Sequence, residues 1–317
     1  MILDFFKDEL NGDTWEELCQ SCYRIKYQDQ HYTEIPASYR GDAGIEGFTR
    51  NGIVNQCYCT EKAFSDDDLY NHQRDKMTTD MGKLIDPDYK KRLKKLGVPQ
   101  IHEWHFVIPC YKDSRIIQHA ETKRQEVLKA KKDNPEQYDY IADDFIVVIK
   151  QAEDFKFEIT RTIRESITDK KLNVAVREVK DIDWSLCDSE KVNNIRRKVK
   201  AVMDDAEDSD PVLNQVVNMY IESYIKGMEI MKMLRVSYAA IYEDVHGLEQ
   251  AYKKQVALKT GMNTNKSMNS QIFNEILNDF EVHLKDTCGY FDSASIIELK
   301  IDIVSMWLAD CSMLFRR

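Results

Sequence analysis

Residues 41–59 constrain this chain more than any other stretch. Gly41-Asp42-Ala43-Gly44-Ile45-Glu46-Gly47 sets three glycines within seven residues, the pattern of a tight turn, and places two acids four apart. A short apolar strand ends at Phe48, Asn51-Gly52 is a two-residue hairpin signal, and Ile53 to Cys59 reads as the returning strand. Strand side chains alternate, so Gln56 and Tyr58 share one face while Cys57 and Cys59 share the other. Antiparallel pairing brings the acid before Phe48 toward Gln56 and Tyr58, an arrangement suited to a metal site.

The flanking segments complete an α/β pattern. Trp15, Leu18, Cys19, Cys22, Tyr23 and Ile25 recur at helical spacing, with Asp13 or Thr14 as the expected cap and Glu16 in the first turn. An irregular strand is expected at His31 to Ile35. Ser65 caps a helix over Asp66 to Leu84 that Asp86-Pro87 ends, and the basic run Lys90, Lys91, Arg92, Lys94, Lys95 follows. Trp104 to Cys110 and Phe145 to Ile149 read as buried strands around a helix at Ser114 to Lys132. This order gives a mixed sheet flanked by helices, extending to about residue 180. A helix to about Ile167, an extended piece at Leu172 to Val179 and a helix near Ser189 to Val202 come next. The acidic run Met203 to Pro211 predicts a linker, so residues 181–211 form a connector. Residues 212–317 are expected to be an all-α bundle of segments at Val212 to Tyr242, Gly247 to Leu258, Ser270 to Leu284 and Ser293 to Leu314. The last is apolar over a wide arc, which fits either the central helix of the bundle or an oligomer face.

Charge and composition narrow the function classes. A net charge of −10 argues against a protein that coats nucleic acid non-specifically, while leaving room for local basic patches. No secretory leader and no bilayer-length apolar run is evident, so a cytoplasmic protein that does not engage membranes is expected. The eight cysteines are dispersed, as in reduced cytosolic chains. Cys19-x-x-Cys22 and Cys57-x-Cys59 lack zinc-ribbon context and fit buried cysteines better than a zinc site. No Gly-x-x-x-x-Gly-Lys-Ser/Thr loop is present, which argues against an ATPase.

Three elements in order carry a resemblance: Trp15-Glu16 at a helix start, Gly41-Asp42-Ala43-Gly44-Ile45-Glu46-Gly47 at the turn, and Gln56-Cys57-Tyr58 on the strand. Together they resemble the PD-(D/E)xK restriction-endonuclease-like superfamily, in particular its Mrr-type nuclease branch. The resemblance covers the first third of the chain well and the next fifth loosely. It implies a metal-dependent DNA endonuclease using Mg²⁺ or Mn²⁺, with Glu46, Asp42 and Glu16 as metal carboxylates and Gln56 orienting water or substrate. It departs from the family at Tyr58, which stands where a lysine is usual, and at Glu46, where aspartate is usual. A neutral phenol cannot supply the lysine's charge. Lys62, Arg74 and Lys76 are candidate substitutes; otherwise the chemistry rests mainly on metal, or the site is dead. Arg40, His72, Gln73, Lys90, Lys91 and Lys94 are candidate nucleic-acid contacts. By the same resemblance, relatives serve bacterial anti-phage defence or restriction, with the helical region forming a homo-oligomer or docking a partner ATPase or sensor. The rival reading is a degenerate nuclease fold that binds nucleic acid or protein as a subunit of a larger complex.

Overall fold

A computed structural model describes residues 2–36, 44–61, 64–174, 189–310 and 312–315. The chain divides into two compact units. The first runs from Asp8 to Thr168 with the extreme N-terminus; the second runs from Asp169 onward and includes Asp4–Lys7.

In the first unit, α1 (Gly12–Lys26) starts in a capping box. Asn11 Oδ1 accepts from the Thr14 amide, and Thr14 Oγ1 accepts from the Asn11 amide, each at 2.9 Å. The cap is therefore Asn11, and Thr14 is its reciprocal partner rather than the cap expected from sequence. Strands β1 (Thr33–Glu34), β2 (Gly47–Phe48) and β3 (Ile53–Cys57) form an antiparallel meander. Helices α2 (Asp66–Leu84) and α3 (Pro87–Leu96) then lead to β4 (Ile101–Ile108), α4 (Arg115–Asp133), β5 (Ile141–Gln151) and α5 (Lys156–Arg164). The sheet is mixed and five-stranded in the order β1-β2-β3-β4-β5, with β3, β4 and β5 parallel. Asp86-Pro87 ends α2 as expected from sequence, but Asp86 also caps α3 and Pro87 takes its first position, so the basic run is a second helix.

The two faces of the sheet have different layers. Val54, Trp104, Phe106 and Phe145 pack with Met77, Met81 and Leu84 of α2 and Ile116, Ala120 and Val127 of α4. On the other face α1 packs against α5 and β3, and Trp15 Nε1 donates to Val107 O at 3.1 Å. Fully burying side chains of this size contributes about 1.5–3 kcal/mol each, which makes these two interfaces the main source of stability in the unit.

The β2–β3 turn sets the register on which the site depends. A two-residue Asn51-Gly52 turn would pair Arg50 with Ile53 and put Glu46 opposite Cys57. The structure has a longer turn instead. Gly52 N donates to Thr49 O at 3.2 Å, Thr49 N donates to Ile53 O at 2.8 Å, and Ile53 N donates to Thr49 Oγ1 at 3.0 Å. The loop is thus the three residues Arg50–Gly52, with Gly52 left-handed at φ +90°. The pairs become Gly47 with Asn55 and Phe48 with Val54, which sets Glu46 across from Gln56. A one-residue slip would send Gln56 to the opposite face.

The second unit consists of α6 (Ser189–Val202), α7 (Pro211–Ser237), α8 (Ala239–Gly261), α9 (Asn269–Thr287) and α10 (Ser293–Ala309). Phe5 joins it, with its carbonyl accepting from the Asn173 amide and its ring edge-on to Tyr238. α10 packs on α6, α7 and α9, which accounts for its wide apolar arc: it is the central helix. Trp307 anchors it, 4.8 Å from the Phe280 ring and donating Nε1 to Glu249. The acidic run 203–210 lies inside this unit between α6 and α7, where sequence suggested a linker. Its charges are locally paired: Asp205 with Lys266, Asp208 with Lys200, and Asp210 capping α7. The single long helix expected over Val212 to Tyr242 breaks at Tyr238, and α8 begins at Ala239 rather than at Gly247. The extended piece expected from Leu172 to Val179 falls partly outside the described residues. Among the described residues, no helix is long and apolar enough to cross a membrane.

Candidate active site

Glu46 leads into β2. Its amide donates to Asn55 O and its carbonyl accepts from the Ile35 amide, both at 2.7 Å, so the residue is fixed in the ladder on both sides. Its carboxylate is then held by two neutral donors. Oε1 accepts from Gln56 Nε2 at 2.5 Å and Oε2 accepts from the Cys57 amide at 2.8 Å. The group is 5% exposed. Burial, followed by the nearby Glu16 carboxylate, raises its pKa to about 8, against the opposing pull of the Cys57 thiol and amide hydrogen bonds and of Lys76. Near neutrality Glu46 is therefore a carboxyl that a cation would ionise. Gln56 Oε1 is buried with no hydrogen-bond partner, a second oxygen beside Glu46 that lacks a donor.

A cleft of about 530 Å³ opens beside these groups, within the usual range for a ligand site. Its walls are the start of α1 (Gly12, Asp13, Glu16), Glu46, the end of β3 with Thr60 and Glu61, and Phe64, His72 and Lys76. Two of the three expected carboxylates, Glu16 and Glu46, thus line one cavity, although they lie thirty residues apart in the chain. Among the described residues no group of three metal-capable side chains converges. Asp42, Arg40 and Lys62 lie outside the described residues.

Tyr58 lines the cleft, but its ring joins the hydrophobic cluster and stacks on Phe106 at 6.4 Å. Burial pushes its hydroxyl above the usual range, so it remains neutral. Among the described residues the cleft is lined by one lysine, Lys76 on α2, whose Nζ is 2.8 Å from Asp80 Oδ2; Lys83 sits 3.0 Å from the other oxygen of Asp80. Asp80 is fully buried. It is the residue that sequence reasoning missed, and the Lys-x-x-x-Asp-x-x-Lys spacing on α2 was its only signal. Arg74 is turned away from the cleft, bound to Asp75 and lying 5.8 Å from the Tyr70 ring.

Gly44 explains the invasive fit of the turn. Its φ is +76°, its carbonyl accepts from Trp104 Nε1 at 3.0 Å, and a Cβ there would lie 2.2 Å from Asp80 O. Gly44 therefore packs directly on the α2 backbone at Asp80. Gly44→Ala is expected to cost about 2–3 kcal/mol from left-handed strain and overpacking, read as a lowered urea midpoint.

The nucleic-acid candidates separate. His72 lines the cleft. Gln73 is buried and donates to Cys110 O at 2.8 Å, so it ties α2 to the end of β4 instead of meeting solvent. Lys90 and Lys94 both pair with Asp139, while Lys91 is exposed. Behind the sheet Gln20 Nε2 donates to Glu46 O at 3.3 Å, and Tyr32 Oη lies against Gln20 and 2.9 Å from Asn55 Oδ1, a buried brace under the Glu46 backbone. Cys19, Cys22 and Cys57 are buried on this side, and burial keeps their thiols protonated.

No protein-family model, curated protein or solved structure matches the chain.

Proposed function

We propose that the first unit is a metal-dependent DNA endonuclease on a restriction-endonuclease-like core, with Lys76 in place of the usual strand lysine. One observation carries this reading: a buried Glu46, held by Gln56 across the β2–β3 pair, lines the same cleft as Glu16 and Lys76. Hard oxygen donors around a charge-starved carboxyl suit Mg²⁺ or Mn²⁺, which keeps several waters and needs few protein ligands. Glu46 and Glu16 would hold the metal. Bound there, it would stabilise charge on a phosphoryl oxygen and acidify a water.

The protein groups divide the remaining work. Gln56 fixes the Glu46 carboxylate through Nε2. Lys76 supplies the positive charge near the scissile phosphate that Tyr58 cannot. Buried Asp80 restrains Lys76 along α2, and Lys83 partly neutralises Asp80, leaving Lys76 free to share its charge with substrate. Lys76→Ala is expected to slow single-turnover cleavage about 10²-fold at saturating metal and to lower the melting temperature, because buried Asp80 loses one of its two lysines, while Lys76→Arg keeps the fold and recovers part of the rate. An unchanged rate would remove Lys76 from the site.

The test of the whole reading is incubation of the purified full chain with DNA in Mg²⁺ or Mn²⁺, beside EDTA and Glu46→Gln controls. Metal-dependent cleavage lost in the variant supports it. Its place in anti-phage defence or restriction, and the second unit as an oligomerisation or partner-docking module, belong to the same proposal. A second reading is favoured by the packing of Tyr58 into the core: a degenerate fold that binds without cutting. In that case Mn²⁺ would show no Glu46-dependent binding.

A further inference from the structure

The cleft carries more than the acids and the lysine. Phe64 is 38% exposed, although it is a large apolar side chain, and its ring lies 4.3 Å from the His72 imidazole at a 39° tilt. Both residues line the cleft. Phe64 directly precedes Ser65, the α2 cap, and His72 lies two turns into that helix, on the same element as Lys76. A hydrophobic staple would place Phe64 against the first turn of α2 at Leu69; its partner here is farther along, on the cleft wall.

The charges of the cleft limit what can enter. Its walls carry the acids Asp13, Glu16 and Glu61, and Glu46 when ionised, against Lys76. A duplex brings one phosphate charge per ~1.7 Å of axis, whereas a single strand carries roughly half that density. An acid-lined cleft therefore disfavours the duplex more strongly. An unpaired strand can also offer the face of a base to an aromatic platform, which a stacked, paired base cannot do.

We infer that the Phe64–His72 pair is a base-stacking platform, and that the cleft takes an unpaired DNA strand with a base on Phe64 and its phosphate toward Lys76. This substrate class rests on the nuclease reading of the same site. Stacking of this kind tolerates any base, because every base presents a π-face, so weak sequence preference follows.

Fluorescence anisotropy of the full chain in Ca²⁺, which suppresses cutting, tests this with labelled oligo-dT, an abasic strand of equal length and the labelled duplex. Oligo-dT is expected to bind about tenfold tighter than either of the others. Phe64→Ala should remove that advantage over the abasic strand, and Phe64→Tyr should keep it. Phe64 is exposed, so the variants should fold, which circular dichroism checks. Equal binding of oligo-dT and the abasic strand by the wild type, or oligo-dT binding by Phe64→Ala equal to the wild type, overturns the platform. Glu46→Gln separates the two ideas: it should keep the preference for oligo-dT over the abasic strand and not cut it. Cutting by Glu46→Gln at the wild-type rate would sink the nuclease reading and leave the Phe64 result to stand by itself.

Discussion

Under the proposed nuclease reading, replacing Glu46 with glutamine is expected to lower the rate of metal-dependent DNA cleavage about a thousandfold, with little loss of folding stability. The amide preserves the shape of the side chain and removes the charge on which a cation depends. Stability should hold because the wild-type carboxyl is itself costly to ionise: burial and Glu16 raise its pKa to about 8. The same shift gives a pH signature. Below about 8, a metal must displace a proton from Glu46, so its apparent affinity should rise about tenfold per pH unit up to that point and then level off. Cleavage at limiting metal should follow the same curve, and saturating metal should flatten it. Rate measurements over pH at two metal concentrations check this. A profile that falls with rising pH would contradict the assignment.

The second large effect lies in the helical unit. Asp302 on α10 is fully buried, and neither of its carboxylate oxygens has a hydrogen-bond partner. Gly227 of α7 faces it closely, since a Cβ on Gly227 would lie 3.0 Å from Asp302 Cβ. Burial, then the Glu298 charge, raises the Asp302 pKa from 3.8 to about 8, with Lys226 opposing. The folded unit therefore holds this proton more tightly than the unfolded chain. Its stabilising contribution is complete below about pH 4, declines as pH rises, and is lost above about pH 8. Asp302→Asn removes the titration. It is expected to stabilise the unit by about 4 kcal/mol at pH 8.5 and to change little at pH 4. Denaturant melts of both proteins at the two pH values check this, and an equal difference at both would contradict it.

Sequence carried much of the fold but not its register. Helix types in the first unit follow from periodicity, and the central strands from short apolar runs, β3 being buried on both faces. The β2–β3 pairing did not, because Asn51-Gly52 points to a two-residue turn, whereas Thr49 closes a three-residue one through its hydroxyl. That single residue of difference decides whether Glu46 meets Gln56. The weakness at Tyr58 was legible, since a phenol cannot carry charge. The proposed remedy was only half legible: Lys76 is one of many lysines, and its anchor Asp80 stands out because Gly44 packs over it in three dimensions. The acidic run at 203–210 misled because charge density alone does not distinguish a solvated linker from acids paired with Lys200 and Lys266. Phe64 carried no sequence signal, since nothing local places its ring on His72.

The most direct test is calorimetric titration of Mn²⁺ into the wild type, Glu46→Gln and Glu16→Gln near pH 7. The wild type is expected to bind Mn²⁺ and release a proton from Glu46 as it does so, detected by comparing buffers of different ionisation heat. Both variants should bind much more weakly, and Glu46→Gln should release no proton. Tight binding by Glu46→Gln, or binding by the wild type without proton release, would contradict a metal centre built on Glu46.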